Sequence, residues 1–247
     1  MTKLLIYCCV CLLAGGLLTA CGKDLGDCFT SAGPQETEFR QAEAFNSILL
    51  TDNVDVEVIP SGSGMLEVTA GKNLMGKIVT KVVNGRLEIG NENDCNWVRS
   101  YSHPLKVKVY AKQIDSIEYR SSGNLTFLDT LRCDTFLINV YEGGGNIRLL
   151  LHVERSLLNS HLGTADLRVY GFSQVNYIYQ ASFGPVIADS LVTNFNYLEN
   201  KGTNNCFVQA SIALGVTISG PGNVYYSGNP DVNLVKTGSG QLIKITP

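Results

Sequence analysis

The stretch Ser219-Gly220-Pro221-Gly222-Asn223-Val224-Tyr225-Tyr226-Ser227-Gly228 joins a glycine-rich turn to a short run of β-formers. The same order recurs at Ser121-Ser122-Gly123-Asn124-Leu125, Gly143-Gly144-Gly145-Asn146-Ile147, Gly163-Thr164-Ala165-Asp166-Leu167 and Gly238-Ser239-Gly240-Gln241-Leu242. Weaker copies stand at Phe183-Gly184-Pro185-Val186 and Thr203-Asn204-Asn205-Cys206. Marking the residue before each β-former gives positions 124, 146, 166, 185, 205, 223 and 241, spaced 22, 20, 19, 20, 18 and 18. A period so nearly constant is the mark of a solenoid, whose repeats bury an apolar face only by stacking. Glycine enters positive φ without steric cost and Asn or Asp tolerates it, so each copy reads as a tight turn before a strand.

Each period divides into two short strands, for example 146–152 with 157–162 and 167–170 with 175–179. Rungs about 4.8 Å apart would give seven markers a prism on the order of 30 Å long. Parallel coils of this kind are expected to wind right-handed. The fold class is therefore all-β: a right-handed parallel β-helix-like solenoid with a β-rich N-terminal portion.

That portion carries no marker. Residues 45–59 alternate, with Val54, Val56 and Val58 on one face and Asp55 and Glu57 on the other, the pattern of a half-buried strand. Asn84-Gly85 between 78–83 and 86–89 is the strongest hairpin signal in the chain. Residues 45–120 are accordingly expected to be β-rich but outside the ladder.

The chain opens with Lys3, an apolar run from Leu4 to Leu18, and Leu18-Thr19-Ala20-Cys21. A charged start, a short apolar segment and small residues before a cut form a secretory signal. Its ending resembles the lipobox of bacterial lipoproteins, which implies acylation of Cys21 and removal of residues 1–20. Gly22 after the cysteine then favours the outer membrane, periplasm-facing or at the cell surface. Without residues 1–20 the net charge moves from −3 to −4. Mild acidity, and no basic patch interleaved with aromatics, argue against nucleic acid as a partner. Cys28, Cys95, Cys133 and Cys206 remain, and four thiols allow three pairings. Cys28 with Cys95 is favoured because both lie outside the ladder; Cys133 and Cys206 read as buried free thiols. No C-x-x-C spacing marks a metal or redox site, and no cofactor is expected.

Residues 91–101 interrupt the β pattern with polar residues and the only tryptophan. Trp97 reads first as a cover over the solenoid's open end. Its second reading is a sugar-stacking platform with Tyr101, in which Arg99 and Asp94 supply polar contacts. Tyr177, Tyr179, Phe195, Tyr197, Tyr225 and Tyr226 recur in consecutive rungs as an aromatic stripe. As a set they read rather as core filling, since alternation turns part of any strand inward.

Together, the signal with its lipobox, Phe45-Asn46-Ser47-Ile48 leading into Val54-Asp55-Val56-Glu57-Val58, Asn84-Gly85-Arg86-Leu87-Glu88-Ile89 and the Gly-x-Gly-Asn ladder resemble the family called putative auto-transporter adhesin, head GIN domain. The resemblance spans about residues 42–242. It implies a signal peptide at 1–20, a lipidated tether and lead-in arm at 21–41, and a solenoid head at 42–247. The expected function, motivated by the long regular surface of such a solenoid, is non-catalytic binding of a glycan or extracellular protein by an envelope lipoprotein anchored to the membrane through its lipid. Two other classes stand beside it: a structural or assembly lipoprotein with a protein partner, and a polysaccharide-active β-helix enzyme. Against the enzyme, Asp129, Asp134, Glu142, Glu154, Asp166 and Asp189 are scattered over different turns, with no local catalytic motif. His152 and His161, with Glu154 nearby, are the one histidine constellation, read as solvated or satisfied.

Overall fold

The computed structural model describes residues 31–93 and 104–246. Within them the seven markers stack in a single column. Leu125 pairs with Ile147, Asn146 with Asp166, and Leu167 with Val186; Val186 pairs with Cys206, Cys206 with Val224, and Val224 with Leu242. Every one of these pairings is parallel, so the chain is a β-solenoid whose coils follow the repeat, weak copies included.

The column explains why a short amide or acid recurs. Asp55 Oδ1 accepts from the Asn124 backbone N–H at 2.7 Å and Asn124 Oδ1 from that of Asn146 at 3.1 Å. Higher up, Asn205 Oδ1 accepts from Asn223 N at 3.0 Å and Asn223 Oδ1 from Gln241 N at 2.8 Å. Each side chain thus ties its own turn to the next. The glycine before the marker has a different cause from the one expected. Neither Gly145 nor Gly222 has positive φ, and among described non-glycine residues only Asp52 and Asn84 do. A Cβ at Gly145 or Gly222 would instead collide with the carbonyl oxygen of Gly123 or Asn204 in the preceding coil. Close stacking, not a left-handed backbone, demands the glycine.

The expected pairs of short strands are fused. Asn146–Ser160, Asp166–Gln180 and Val186–Asn200 are single strands of 15 residues each. Their ladders run through the bend, where Glu154 and Arg155 both face outward between buried Val153 and buried Ser156. That break in alternation turns the corner while neighbouring coils keep the backbone paired.

The N-terminal portion lies inside the solenoid rather than before it. Ser47–Asp52 and Asp55–Pro60 form a coil between two later ones. On one side they pair in parallel with Arg86–Asn91 and Lys106–Ala111, and on the other with Ser116–Ser121 and Leu125–Phe127. Sequence periodicity cannot reveal this, because the coils stack out of chain order. The N-terminal edge is closed by antiparallel pairing of Gln35–Gln41 with Met65–Gly71 and of Ile78–Val83 with Arg86–Asn91.

Inside run apolar columns such as Ile147, Leu167, Val186, Cys206 and Val224, each fully buried. A polar seam accompanies them: Ser156, Asn176 and Asn196 at one level, Gln180 and Asn200 at another, all with no exposure. Ser156 Oγ bonds to Ser173 Oγ and Asn176 Oδ1 at 2.8 and 2.7 Å, and Asn200 Nδ2 donates to the Gly222 carbonyl at 3.0 Å. Tyr119, also fully buried, donates to the Gly123 carbonyl at 2.7 Å and accepts from Gly145 N–H at 3.1 Å, so its hydroxyl joins two successive turns. Burial pushes its pKa up to about 12. Cys133 and Cys206 are free thiols; Cys206 is buried, which pushes its pKa up to about 12, and Cys133 is half-buried, which raises it to about 11.

Candidate functional site

The outward rows of one face converge on a groove. Because Ile178, Leu198 and Val216 point into the core, their neighbours must point out. One outward row is Leu157, Tyr177, Tyr197, Gly215 and Asn233; the other is Asn159, Tyr179, Glu199, Thr217 and Val235. Tyr177 and Tyr197 are each 41% exposed and stack with centroids 5.4 Å apart. The next position in their row is Gly215, where a Cβ would stand 2.9 Å from Tyr197 Cδ1. With no side chain there, the Tyr197 ring lies over bare backbone and the row drops away. The result is an open groove of about 420 Å³, walled by the tyrosines on one side and by Glu199, Thr217 and Val235 on the other.

Beside it runs a chain of rings and cations across successive coils. The Arg120 guanidinium sits 4.4 Å from the Tyr141 centroid, His161 stacks on Tyr141 at 4.7 Å, and Tyr179 lies 5.3 Å from His161. Lys201 caps the chain 5.3 Å from Tyr179 and 3.0 Å from Glu199. The imidazole is fixed from both sides, with Nε2 3.3 Å from Asn139 Oδ1, itself accepting from Asn159 Nδ2 at 3.0 Å. Burial holds the His161 pKa below its ordinary value, which favours the neutral ring. Flat aromatic faces bordered by amide, hydroxyl and carboxylate groups match the alternating apolar and polar faces of a pyranose.

The aromatic stripe therefore faces solvent rather than filling the core. Tyr177, Tyr179 and Tyr197 border the groove, Tyr225 stacks on Phe207 at 4.9 Å on another face, and only Tyr226 packs against the core. The interior aromatics are Tyr119, Phe127 and Phe136. Alternation sets this outcome: a residue next to inward Ile178 or Leu198 cannot also be inward. His152 and His161 are not brought together; His152 stands in register with Arg132 and Phe172, far from the Tyr141–His161 stack. Cys21, Cys28, Cys95, Trp97, Arg99 and Tyr101 lie outside the described residues. Sequence reasoning passed over Tyr141 and Gly215. Gly215 is the more telling, a lone glycine in an alternating strand, which signals close approach of another group.

The chain belongs to the family described as putative auto-transporter adhesin, head GIN domain, whose model matches residues 44–230. It matches no curated protein. Among solved structures it is similar to a putative adhesin from Bacteroides fragilis NCTC 9343, at 19% identity and TM-score 0.79, over 86% of this chain and 97% of that one. A putative lipid binding protein from Parabacteroides distasonis ATCC 8503 aligns at 19% identity and TM-score 0.70, over 87% and 98%. A putative adhesin from Parabacteroides merdae ATCC 43184 aligns at 18% and 0.66, over 87% and 98%. At these identities the likeness is one of fold.

Proposed function

We propose that this protein is a non-enzymatic adhesive head, held at the outer membrane by acylation of Cys21, that binds glycans in the groove between Tyr197 and Thr217. The observation that carries this reading is the groove itself: about 420 Å³, open to solvent and walled by exposed tyrosines. That volume suits a ligand of one or two sugar rings. Membership of an adhesin-head family and the adhesin descriptions of similar structures support the binding class. On the present reading the head retains sugar without cleaving it.

A chain beginning at Gly22 would be incubated with a mixed glycan library and the bound and free pools read by mass spectrometry. Depletion of intact glycans, lost in Tyr197→Ala and in Gly215→Ser, supports the proposal. Silence across the library, or retention unchanged in both variants, refutes the groove; shorter product fragments refute the non-enzymatic reading. Metabolic labelling with a palmitate analogue, lost in Cys21→Ser, tests the anchor separately.

An assembly role is favoured by one observation. All six residues of Asp231–Lys236 are exposed, including Val232, Leu234 and Val235, and the strand's described pairing is with Ala213–Ile218. A strand with a free edge offers a place for another chain's strand. Crosslinking in intact cells would reveal such a partner, and its absence would leave the glycan reading alone.

A further inference from the structure

A second concavity of about 300 Å³ opens on another face of the solenoid, away from the tyrosine groove. It is lined in part by Arg148 and Arg168, which stand opposite one another in strict parallel register on adjacent coils. Both are exposed, and their backbones are about 4.8 Å apart, as in any paired ladder. Like charges directly opposite each other in a sheet are destabilising unless something neutralises them. The protein's own groups do this incompletely. Arg168 has Asp166 at 3.6 Å, whereas Arg148 among the described residues has an aromatic partner, the Tyr170 ring at 5.0 Å, and no acidic one.

The two carboxylates at the far side of the cavity are already engaged. Glu57 is bound by Lys106 at 2.7 Å, and Asp55 accepts from the backbone and side-chain nitrogens of Asn124 at 2.7 and 3.1 Å. They still lower the local potential, so a monoanion is accepted more readily than a phosphate dianion. A planar carboxylate also fits a guanidinium fork, which donates two parallel N–H bonds. Thr126 and Asn146 border the same cavity and supply a hydroxyl and an amide oxygen for the ring hydroxyls of a sugar, while Asn124 beside them is held by Asp55 and Asn146. From these features we infer a second ligand site that takes the carboxylate of a uronic-acid residue between Arg148 and Arg168. It is independent of the tyrosine groove and stands or falls without it.

The test is calorimetric titration of the chain from Gly22 with three probes: oligomers of galacturonate, of alternating glucuronate and N-acetylglucosamine, and of mannuronate. Each is run beside its carboxyl-reduced neutral analogue. At least one acid oligomer binds and its neutral analogue does not. Arg148→Gln and Arg168→Gln each weaken binding roughly tenfold or more, since each removes a charge-assisted pair. Arg148→Lys, which keeps the charge and loses the fork, recovers only part. Tyr197→Ala leaves this binding unchanged. Melting curves of the arginine variants match the parent protein, as expected for exposed side chains. Silence of all three acid oligomers overturns the site, as does equal binding of the reduced analogues or indifference to both glutamine variants. Vesicles of phosphatidylcholine with and without phosphatidylglycerol provide the remaining arm: retention on anionic vesicles without uronate binding would assign the arginines to a lipid headgroup and overturn the proposal.

Discussion

Replacing Tyr119 by Phe tests the claim that buried polar pins hold successive coils together. The ring is fully buried, so Phe leaves packing and apolar area almost unchanged. What disappears is one oxygen that accepts from Gly145 N–H and donates to the Gly123 carbonyl. Neither backbone group has another partner nearby, and the turn is too tight to admit one: a Cβ at Gly145 would already strike both the Gly123 carbonyl and the Tyr119 hydroxyl. A buried backbone group left unpaired costs about 1–3 kcal/mol, so two should cost about 2–6 kcal/mol together. For a domain of this size that is a fall in Tm of roughly 4–24 °C. Urea unfolding followed by far-UV circular dichroism, alongside thermal melting, reads both quantities. A loss below about 0.5 kcal/mol would refute the pin, because it would mean that the two turns relax and bond elsewhere.

Alkali offers a related check. The Tyr119 pKa is raised by burial to about 12 from an ordinary value near 10, so the folded state holds its proton more tightly than the unfolded chain. Its contribution is complete below pH ~10 and lost as the pH rises towards 12, and Tyr119→Phe flattens this part of the stability profile. Gly222→Ala places a methyl group inside the Asn204 carbonyl and is expected to cost about 3 kcal/mol in urea unfolding, whereas Gly62→Ala, with open space around it, is expected to be neutral. Cys206 resists iodoacetamide in the native state at pH 8 and reacts in denaturant, as peptide mapping would show; native labelling at Cys206 would contradict its burial. At the groove, Gly215→Tyr pushes the Tyr197 ring aside, fills the groove and abolishes glycan retention, with far-UV circular dichroism checking that the β fold is kept.

How far the sequence could be read depended on whether the signal was local. A turn repeated at 18 to 22 residues is a local chemical fact, and stacking converts it directly into a column, so the parallel solenoid was legible from Ser121 onward. Coil order was not. Ser47–Asp52 contacts Arg86–Asn91 on one side and Ser116–Ser121 on the other, and no periodicity encodes which later segment returns to which edge. The role assigned to glycine held at Gly143 and Gly163, which do have positive φ, but not at Gly145 and Gly222, for a similar reason. Positive φ is a property of one residue, while the collision that excludes Cβ at Gly222 belongs to two coils.

The groove lay closer to legibility than the coil order did. Tyr177 and Tyr197 fall 20 residues apart, one full coil, beside Ile178 and Leu198, which are equally spaced and more apolar. Two adjacent columns in one strand cannot share a side of the sheet, and the aliphatic pair has the stronger claim on the core. Carrying the tyrosine row one coil further, at the shorter 18-residue step, lands on Gly215. A tyrosine row interrupted by glycine on an outward face leaves an aromatic ring with one side free. The same reasoning applies wherever a coil shortens: a change from 20 to 18 residues removes corner residues while the paired rows continue, so the side chains lost or reduced there shape the outer surface. In this chain the shortening and the groove coincide, which makes the position of the groove a consequence of repeat length as well as of residue type.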